Sequence, residues 1–331
     1  MISRQDSERH FLTDAGWDDA ARQPLAGDAS GRLYHRLKRN NATAILMNAP
    51  PPHENVHSFV VIDQYLCAQG YSAPKIIAGD EATGFLLLED LGDESFTRIL
   101  ARDASAKTEN TLYSTAIDVL RDLHTRPLPN AVATYDESRL AGDAALFLEA
   151  WVGQHHTDAG YLETAGQAFQ NAWRAAWRHA TALPYALSLR DYHAGNLMWL
   201  GDRSGLKRVG LLDFQDALAA PVAYDLVSLL NDARRDVSPH TERAMIERYL
   251  SARGDIAEDA FRAGYAVLGA QRGLRIAGVF TRLARRDGKS QYLAYLPRVW
   301  QQIETHLAHP ALEHVRQWMD DYAPPHLRCT N

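Results

Sequence analysis

LRDYHAGN (residues 189–196) and GLLDFQD (residues 210–216) lie in one strand-rich island, YALSLRDYHAGNLMWLGDRSGLKRVGLLDFQDA, residues 185–217. Apolar residues flank polar loop residues in it, and GDRSG reads as a tight turn. Asn196 follows Asp191 by five positions, and an apolar strand leads into Asp213. Phosphoryl transfer asks a protein for this set: a carboxylate to orient the acceptor hydroxyl, and oxygen ligands to hold Mg²⁺ against the phosphates. In that chemistry Asp191 is the base, and Asn196 and Asp213 are the metal ligands. Singly, each residue reads as well as a turn cap or a strand end. Their order and spacing favour the catalytic reading.

Outward from the island, residues 23–48 read as three short antiparallel strands, PLAGDAS, RLYHRLKR and ATAILM, with Gly27, Gly31 and Asn40-Asn41 as turns. Pro50, Pro51 and Pro52 then block pairing, and HENVHSFVVIDQYLCAQG (53–70) has helical spacing up to Gly70. Lys75–Ala78 and Gly84–Leu88 add two strands, the second leaving through Glu89-Asp90-Leu91-Gly92 as a hinge. From Glu94 onward long amphipathic stretches dominate, such as NTLYSTAIDVLRDLHT (110–125) and LETAGQAFQNAWRAAWRHATAL (162–183). Trp173 and Trp177, four apart, are read there as core. The expectation is an α+β, bilobal protein: a small antiparallel-sheet lobe with hinge over residues 1–92, and a larger mainly helical lobe over residues 93–331.

The 331 residues, 46% hydrophobic and 23% charged, suffice for two lobes with real cores. A net charge of −6 gives no general affinity for nucleic acid or anionic membrane. The two cysteines, Cys67 and Cys329, form neither a disulfide framework nor a zinc pair. No export signal or membrane span is visible, so the expected location is cytoplasmic. The partner expected is a small molecule, with no nucleic acid, membrane or obligate protein partner.

The D-x-x-x-x-N and LLDFQD pair, followed by PVAYDLVSLL (221–230), resembles the aminoglycoside phosphotransferase and choline kinase family, which has a protein-kinase-like fold. The resemblance covers nearly the whole chain. It implies ATP and Mg²⁺ as cofactors, and a phosphate-covering loop from Gly27 to Arg32, with Gly27, Ser30, Gly31 and Arg32 as contacts. It also implies adenine beside Glu89 and Leu91, and an Asp225 that braces the catalytic loop. Glycines would let the backbone approach phosphate, with Ser30 adding a hydroxyl and an amide.

Two positions depart from the family pattern: Leu189 stands for its usual histidine and Met47 for the usual lysine of the third strand, while Arg190 replaces a glycine. Lys38 or Arg36 on the neighbouring strand is the expected substitute charge. Within the family, GDASGRLYHRL, AILMNAPP, LRDYHAGNLMWL and the stretch from Gln271 to Arg298 resemble bacterial anomeric kinases of N-acetylmuramate and N-acetylglucosamine in peptidoglycan recycling. That resemblance implies phosphorylation of the C1 hydroxyl of an amino sugar. Arg190, His193, Gln215 and Asp216 are candidate sugar contacts. Arg272 and Arg275, three apart on a helix, are candidates for a lactyl carboxylate, against a plain reading as solvated arginines. A kinase of another small alcohol, such as an aminoglycoside or choline, and a nucleotide-binding pseudokinase stay open.

Two further motifs are set aside. His53-Glu54-Asn55-Val56-His57 fits HExxH, whose histidines bind zinc from one helical face, but it follows the three prolines. Gly288-Lys289-Ser290 lacks the earlier glycine of a phosphate loop, since residue 283 is Leu.

Overall fold

The computed structural model describes residues 3–25, 31–130, 132–154, 156 and 158–328, with the backbone alone for Ala141, Ala144 and Gln154. Gly27, Ser30 and Cys329 lie outside the described residues. The chain divides into two compact units, Met1–Ala116 with Ala194–Ala217, and Ile117–His193 with Leu218–Asn331.

The first unit holds helix α1 (Arg4–Asp14), strands β1 (Ala21–Pro24), β2 (Leu33–Arg39) and β3 (Ala42–Asn48), helix α2 (His57–Ala68), and strands β4 (Ile76–Asp80) and β5 (Phe85–Glu89). The strands form one antiparallel sheet in the order β1-β2-β3-β5-β4. The period-2 alternation of strand side chains splits this sheet into two faces. Leu37, Ala44, Leu46, Phe85 and Leu87 pack with Phe11 and Leu12 of α1 and with Trp17 as one buried cluster. Each leucine and phenylalanine of the cluster contributes about 1.5–3 kcal/mol by leaving water. Tyr34, Arg36, Ile45, Met47 and Leu88 point the other way and line a cavity. Both faces of β5 are therefore covered, which is why it reads as an unbroken apolar run.

The strand expected over PLAGDAS (24–30) lies mostly outside the described residues; the described strand β1, Ala21–Pro24, pairs with Lys38 to His35 of β2. Helix α1 has a weak apolar stripe; its Ser3 side chain accepts from the Asp6 amide as N-cap, and only Phe11 and Leu12 are buried. The same unit holds helix α3 (Phe96–Arg102) and the hairpin of strands β7 (Leu197–Trp199) and β8 (Val209–Leu211).

The long helix α4 (Ala106–Leu123) runs across the boundary between the units. The second unit has α5 (Glu137–Ala150), α6 (Ala159–Thr181), the antiparallel pair β6 (Tyr185–Ser188) and β9 (Leu218–Pro221), α7 (Tyr224–Leu230), α8 (Pro239–Leu250), α9 (Glu258–Arg286), α10 (Leu296–Leu307) and α11 (Glu313–Tyr322). Trp173 and Trp177 are buried as core. Helix α9 runs through the middle of this unit with most of its residues buried. Gly278 is one reason its neighbours come close: a Cβ there would stand 2.7 Å from the backbone of Leu146 on α5. Among the described residues, no helix is long and apolar enough to cross a membrane.

Candidate active site

In the second unit β6 runs into the loop carrying Asp191, and Asp225 of α7 holds that loop in place. The Asp225 carboxylate accepts from the Leu189 amide at 2.7 Å, the Arg190 amide at 2.9 Å and the Ser188 hydroxyl at 2.7 Å. Burial pushes the Asp225 carboxyl up to about 6, against the lowering effect of those three donors. The Ser228 hydroxyl donates to the Arg190 carbonyl at 2.7 Å. So anchored, Arg190 sits at φ 65°, a left-handed conformation that costs a side-chain-bearing residue about 1–2 kcal/mol.

Three arginine side chains and His193 lie around Asp191, and burial lowers the His193 imidazole below its ordinary value. Arg272 Nη2 lies 3.4 Å from its Oδ1, while Arg275, His193 and Arg190 act on it electrostatically. Burial would raise the Asp191 carboxyl, but these neighbours more than offset it and hold it below the usual carboxylate value. Asp143 of α5 positions two of them: it is 3.6 Å from Arg190 Nη2 and 3.4 Å from Arg275 Nε, and accepts from the Tyr135 hydroxyl at 3.1 Å. His193 Nε2 lies 3.3 Å from Arg234 Nη1. A cavity of about 130 Å³ is lined by Asp191, His193, Arg234, Arg272 and Arg275. Arg272 is only 6% exposed, so the plain reading of solvated helix arginines fails for it. The buried face of α9 carries it inward.

In the first unit Asn196 and Asp213 flank the β7–β8 hairpin. The Leu212 amide donates to the Asn196 carbonyl at 3.0 Å, and the Asn196 side-chain amide donates to Asp213 Oδ2 at 3.2 Å. Asp213 sits at φ 59°, and the next residue, Phe214, stacks on Phe59 of α2 at 4.9 Å between ring centroids. The Gln215 amide donates to Asp213 Oδ1 at 2.9 Å. An amide oxygen beside a carboxylate is the all-oxygen donor set that Mg²⁺ takes alongside phosphate oxygens. Asn196, Asp213 and Gln215 line a cavity of about 290 Å³ whose walls include Tyr34, Ile45, Met47, Leu88 and Leu91. Glu89 also lines it, and accepts from Arg203 at 2.6 Å. Asp216 is exposed.

Met47 occupies the wall of that cavity and is 1% exposed. Of the two expected substitute charges, Lys38 does not line the cavity and is exposed. Arg36 lines it but is engaged by Asp90 at 2.8 Å and Asp93 at 3.0 Å, which fixes the segment after β5 to the sheet. Arg32 pairs with Glu54 at 3.0 Å, and the Gly31 amide donates to the same carboxylate at 3.0 Å. Burial pushes the Tyr34 hydroxyl up to about 12, with Arg32 opposing and Asp213 adding to the shift.

The HExxH reading loses its premise, because α2 begins at His57 and His53 precedes it. Glu54 is engaged as described and His57 Nδ1 meets Glu81 at 2.9 Å. Among the described residues no cluster of three or more His, Cys, Asp or Glu side chains could hold a metal ion. Sequence reasoning missed Asp143, Arg234, Tyr34 and Phe59. Asp143 and Arg234 lie in no quoted motif, Tyr34 and Phe59 stand unremarked inside quoted stretches, and only the partners they meet in the fold mark them.

The architecture is that of the small-molecule kinases. A choline/ethanolamine kinase family protein from Mesorhizobium loti superposes with TM-score 0.64 at 18% identity, over 96% of this chain and 99% of that one. A streptomycin–ATP complex of an aminoglycoside phosphotransferase superposes with TM-score 0.60 at 13% identity, over 89% and 97%. Residues 21–265 match the model of the phosphotransferase enzyme family, and the chain belongs to that family. It is 37% identical to an N-acetylmuramate/N-acetylglucosamine kinase of Caulobacter vibrioides over 98% of both chains.

Proposed function

We propose that this chain is an ATP-dependent kinase of the anomeric C1 hydroxyl of N-acetylmuramate and N-acetylglucosamine, acting in the cytoplasm in peptidoglycan recycling. The observation that carries the reading is Asp191 itself, a loop carboxylate kept ionised by surrounding cations on the wall of a cavity. The identity with the Caulobacter kinase along the whole chain supports the acceptor.

In this reading residues 1–92 bind the nucleotide, with adenine in the apolar slot beside Glu89 and Leu91, and residues 93–331 bind the sugar and carry the base. Gly27, Ser30, Gly31 and Arg32 cover the phosphates. Asn196 and Asp213 would hold Mg²⁺, which when bound would supply positive charge against the phosphates. Asp191 orients the C1 hydroxyl and accepts its proton while the oxygen bonds to the γ-phosphorus and the bond to ADP breaks. An anomeric hydroxyl is more acidic than an ordinary alcohol, so a carboxylate of depressed basicity suffices. Arg190, His193, Gln215 and Asp216 are the further sugar contacts.

The test is a panel of amino sugars, aminoglycosides and choline with Mg·ATP, reading ADP and the phosphorus NMR of the product. An α-1-phosphate on the amino sugars is expected, with turnover reduced about 10²–10⁴-fold in Asp191→Asn. Full turnover in that variant would remove the base role. The buried Met47 in place of a lysine favours a second reading, a pseudokinase, whose signature is ATP binding without transfer to any acceptor.

A further inference from the structure

The cavity beside Asp191 is more cationic than the transfer of a proton requires. Arg234, Arg272 and Arg275 line it against the carboxylates of Asp191 and Asp232. Arg275 Nε is 3.4 Å from Asp143 without a hydrogen bond, and the Asp232 carboxylate accepts from the Arg234 backbone amide at 2.8 Å. Arg272 is the most buried of the three arginines. It is 6% exposed, touches Asp191 through Nη2 at 3.4 Å and lies 5.9 Å over the Tyr224 ring, and among the described residues its Nε and Nη1 make no hydrogen bond of normal geometry. Donors buried without an acceptor are unfavourable unless a ligand completes them. A guanidinium with two remaining N–H groups presents the fork that a carboxylate accepts in two-point geometry.

The rest of the wall is of the opposite character. Ile276, Val279 and Phe280 continue along α9 at helical spacing from Arg272 and line the same cavity. One helix face therefore offers an arginine end next to the base and an apolar end beyond it.

We propose that this cavity is a subsite for a carboxylate carried on the 3-oxygen of the acceptor, and that it makes N-acetylmuramate the preferred substrate over N-acetylglucosamine. The inference rests on the kinase reading above. The lactyl ether has the two features the wall provides: a carboxylate for Arg272, Arg275 and Arg234, and a methyl group for Ile276, Val279 and Phe280. Carbons 1 and 3 of the sugar ring are separated by one carbon. A sugar with its C1 hydroxyl on Asp191 thus directs its 3-substituent to groups adjacent to Asp191, and Arg272 is in contact with it. Arg234, which no sequence motif marked, becomes a specificity-determining residue.

The test begins on the substrate side with the unaltered enzyme. The kcat/KM values of N-acetylmuramate, its lactyl carboxamide and N-acetylglucosamine are compared at constant ionic strength. A site that pairs buried donors discriminates strongly against an analogue without the acceptor, so N-acetylmuramate should exceed both by about tenfold or more. In Arg234→Gln and Arg275→Gln the ratio of N-acetylmuramate to N-acetylglucosamine should fall, with the change mainly in KM. Equal kcat/KM for the three sugars in the unaltered enzyme would overturn the subsite and leave the kinase reading standing. So would variants that slow the sugars in equal proportion, which would place these arginines on the phosphoryl group instead. Absence of turnover with every sugar would overturn both.

Discussion

Arg272 and Asp191 meet through a single long contact, Nη2 to Oδ1 at 3.4 Å, although 81 residues separate them in sequence. The pairing gives the carboxylate a counter-charge on one side without a full two-point clamp. Asp191 is thereby ionised at neutral pH and still about a third exposed at its side chain.

The pH dependence of turnover follows from that pair. Because the cations hold Asp191 below the usual carboxylate range, its base form persists as pH falls, and the acid limb of kcat/KM lies on the low side of an ordinary Asp. Arg272→Gln removes the foremost of those cations and should move that limb to higher pH, measured in buffers of constant ionic strength. An unchanged limb would show that Asp191 is not the group titrating.

The loop before Asp191 depends on Asp225 for three hydrogen bonds. Asp225→Ala leaves the Leu189 and Arg190 amides and the Ser188 hydroxyl to find other partners, at about 1–3 kcal/mol for each donor left buried and unpaired. Urea unfolding should show a loss of several kcal/mol, and Asp225→Asn, which keeps an acceptor oxygen, a smaller one. Wild-type stability in the alanine variant would refute the bracing.

Acid sensitivity should reside partly in His306. Burial pushes it down to about 4, with a smaller contribution from His309, and its Nε2 meets Asn231 Oδ1 at 2.7 Å. A depressed histidine contributes stability that is present above its unfolded value near 6.5 and is lost as pH falls toward about 4, by up to about 1.4 kcal/mol per pH unit. Asp225, raised to about 6, and Asp63, raised to about 7 by burial and Glu89, act in the opposite sense, so total stability mixes the two. The informative quantity is a difference: His306→Gln against wild type should show a shallower decline between about pH 6.5 and 4. Parallel curves would assign the acid response to other groups.

The approach of α5 to α9 is set by Gly278. An added Cβ meets backbone atoms of Leu146 and Phe147, which cannot rotate aside as a side chain could. Gly278→Ala should destabilise by about 1–3 kcal/mol in denaturant titration. It should also raise the KM for the sugar, because α5 carries the Asp143 that holds Arg190 and Arg275. A neutral result in both measurements would mean that the helices separate without consequence.

Local structure was legible where residues close in sequence pair or share a face. The hairpin between Asn196 and Asp213, the β2–β3 pair and the amphipathic α6 all follow from local periodicity and turn signals. The start of α2 at His57 and the placement of β1 at Ala21–Pro24 were not, since helix and strand ends are decided by pairing and packing partners.

By itself the sequence determined the two-part α+β character, the kinase-like motif set and the substitution of Met47 and Leu189 at positions where the family has other residues. Only the tertiary structure decided that Arg272 is buried against Asp191, that Asp143 and Arg234 belong to the same constellation, and that Arg36 is committed to Asp90 and Asp93. The physical reason is that a side chain's charge and burial depend on what folding brings next to it. For an arginine on a helix, the same sequence is compatible with open solvent or with a neighbour's carboxylate.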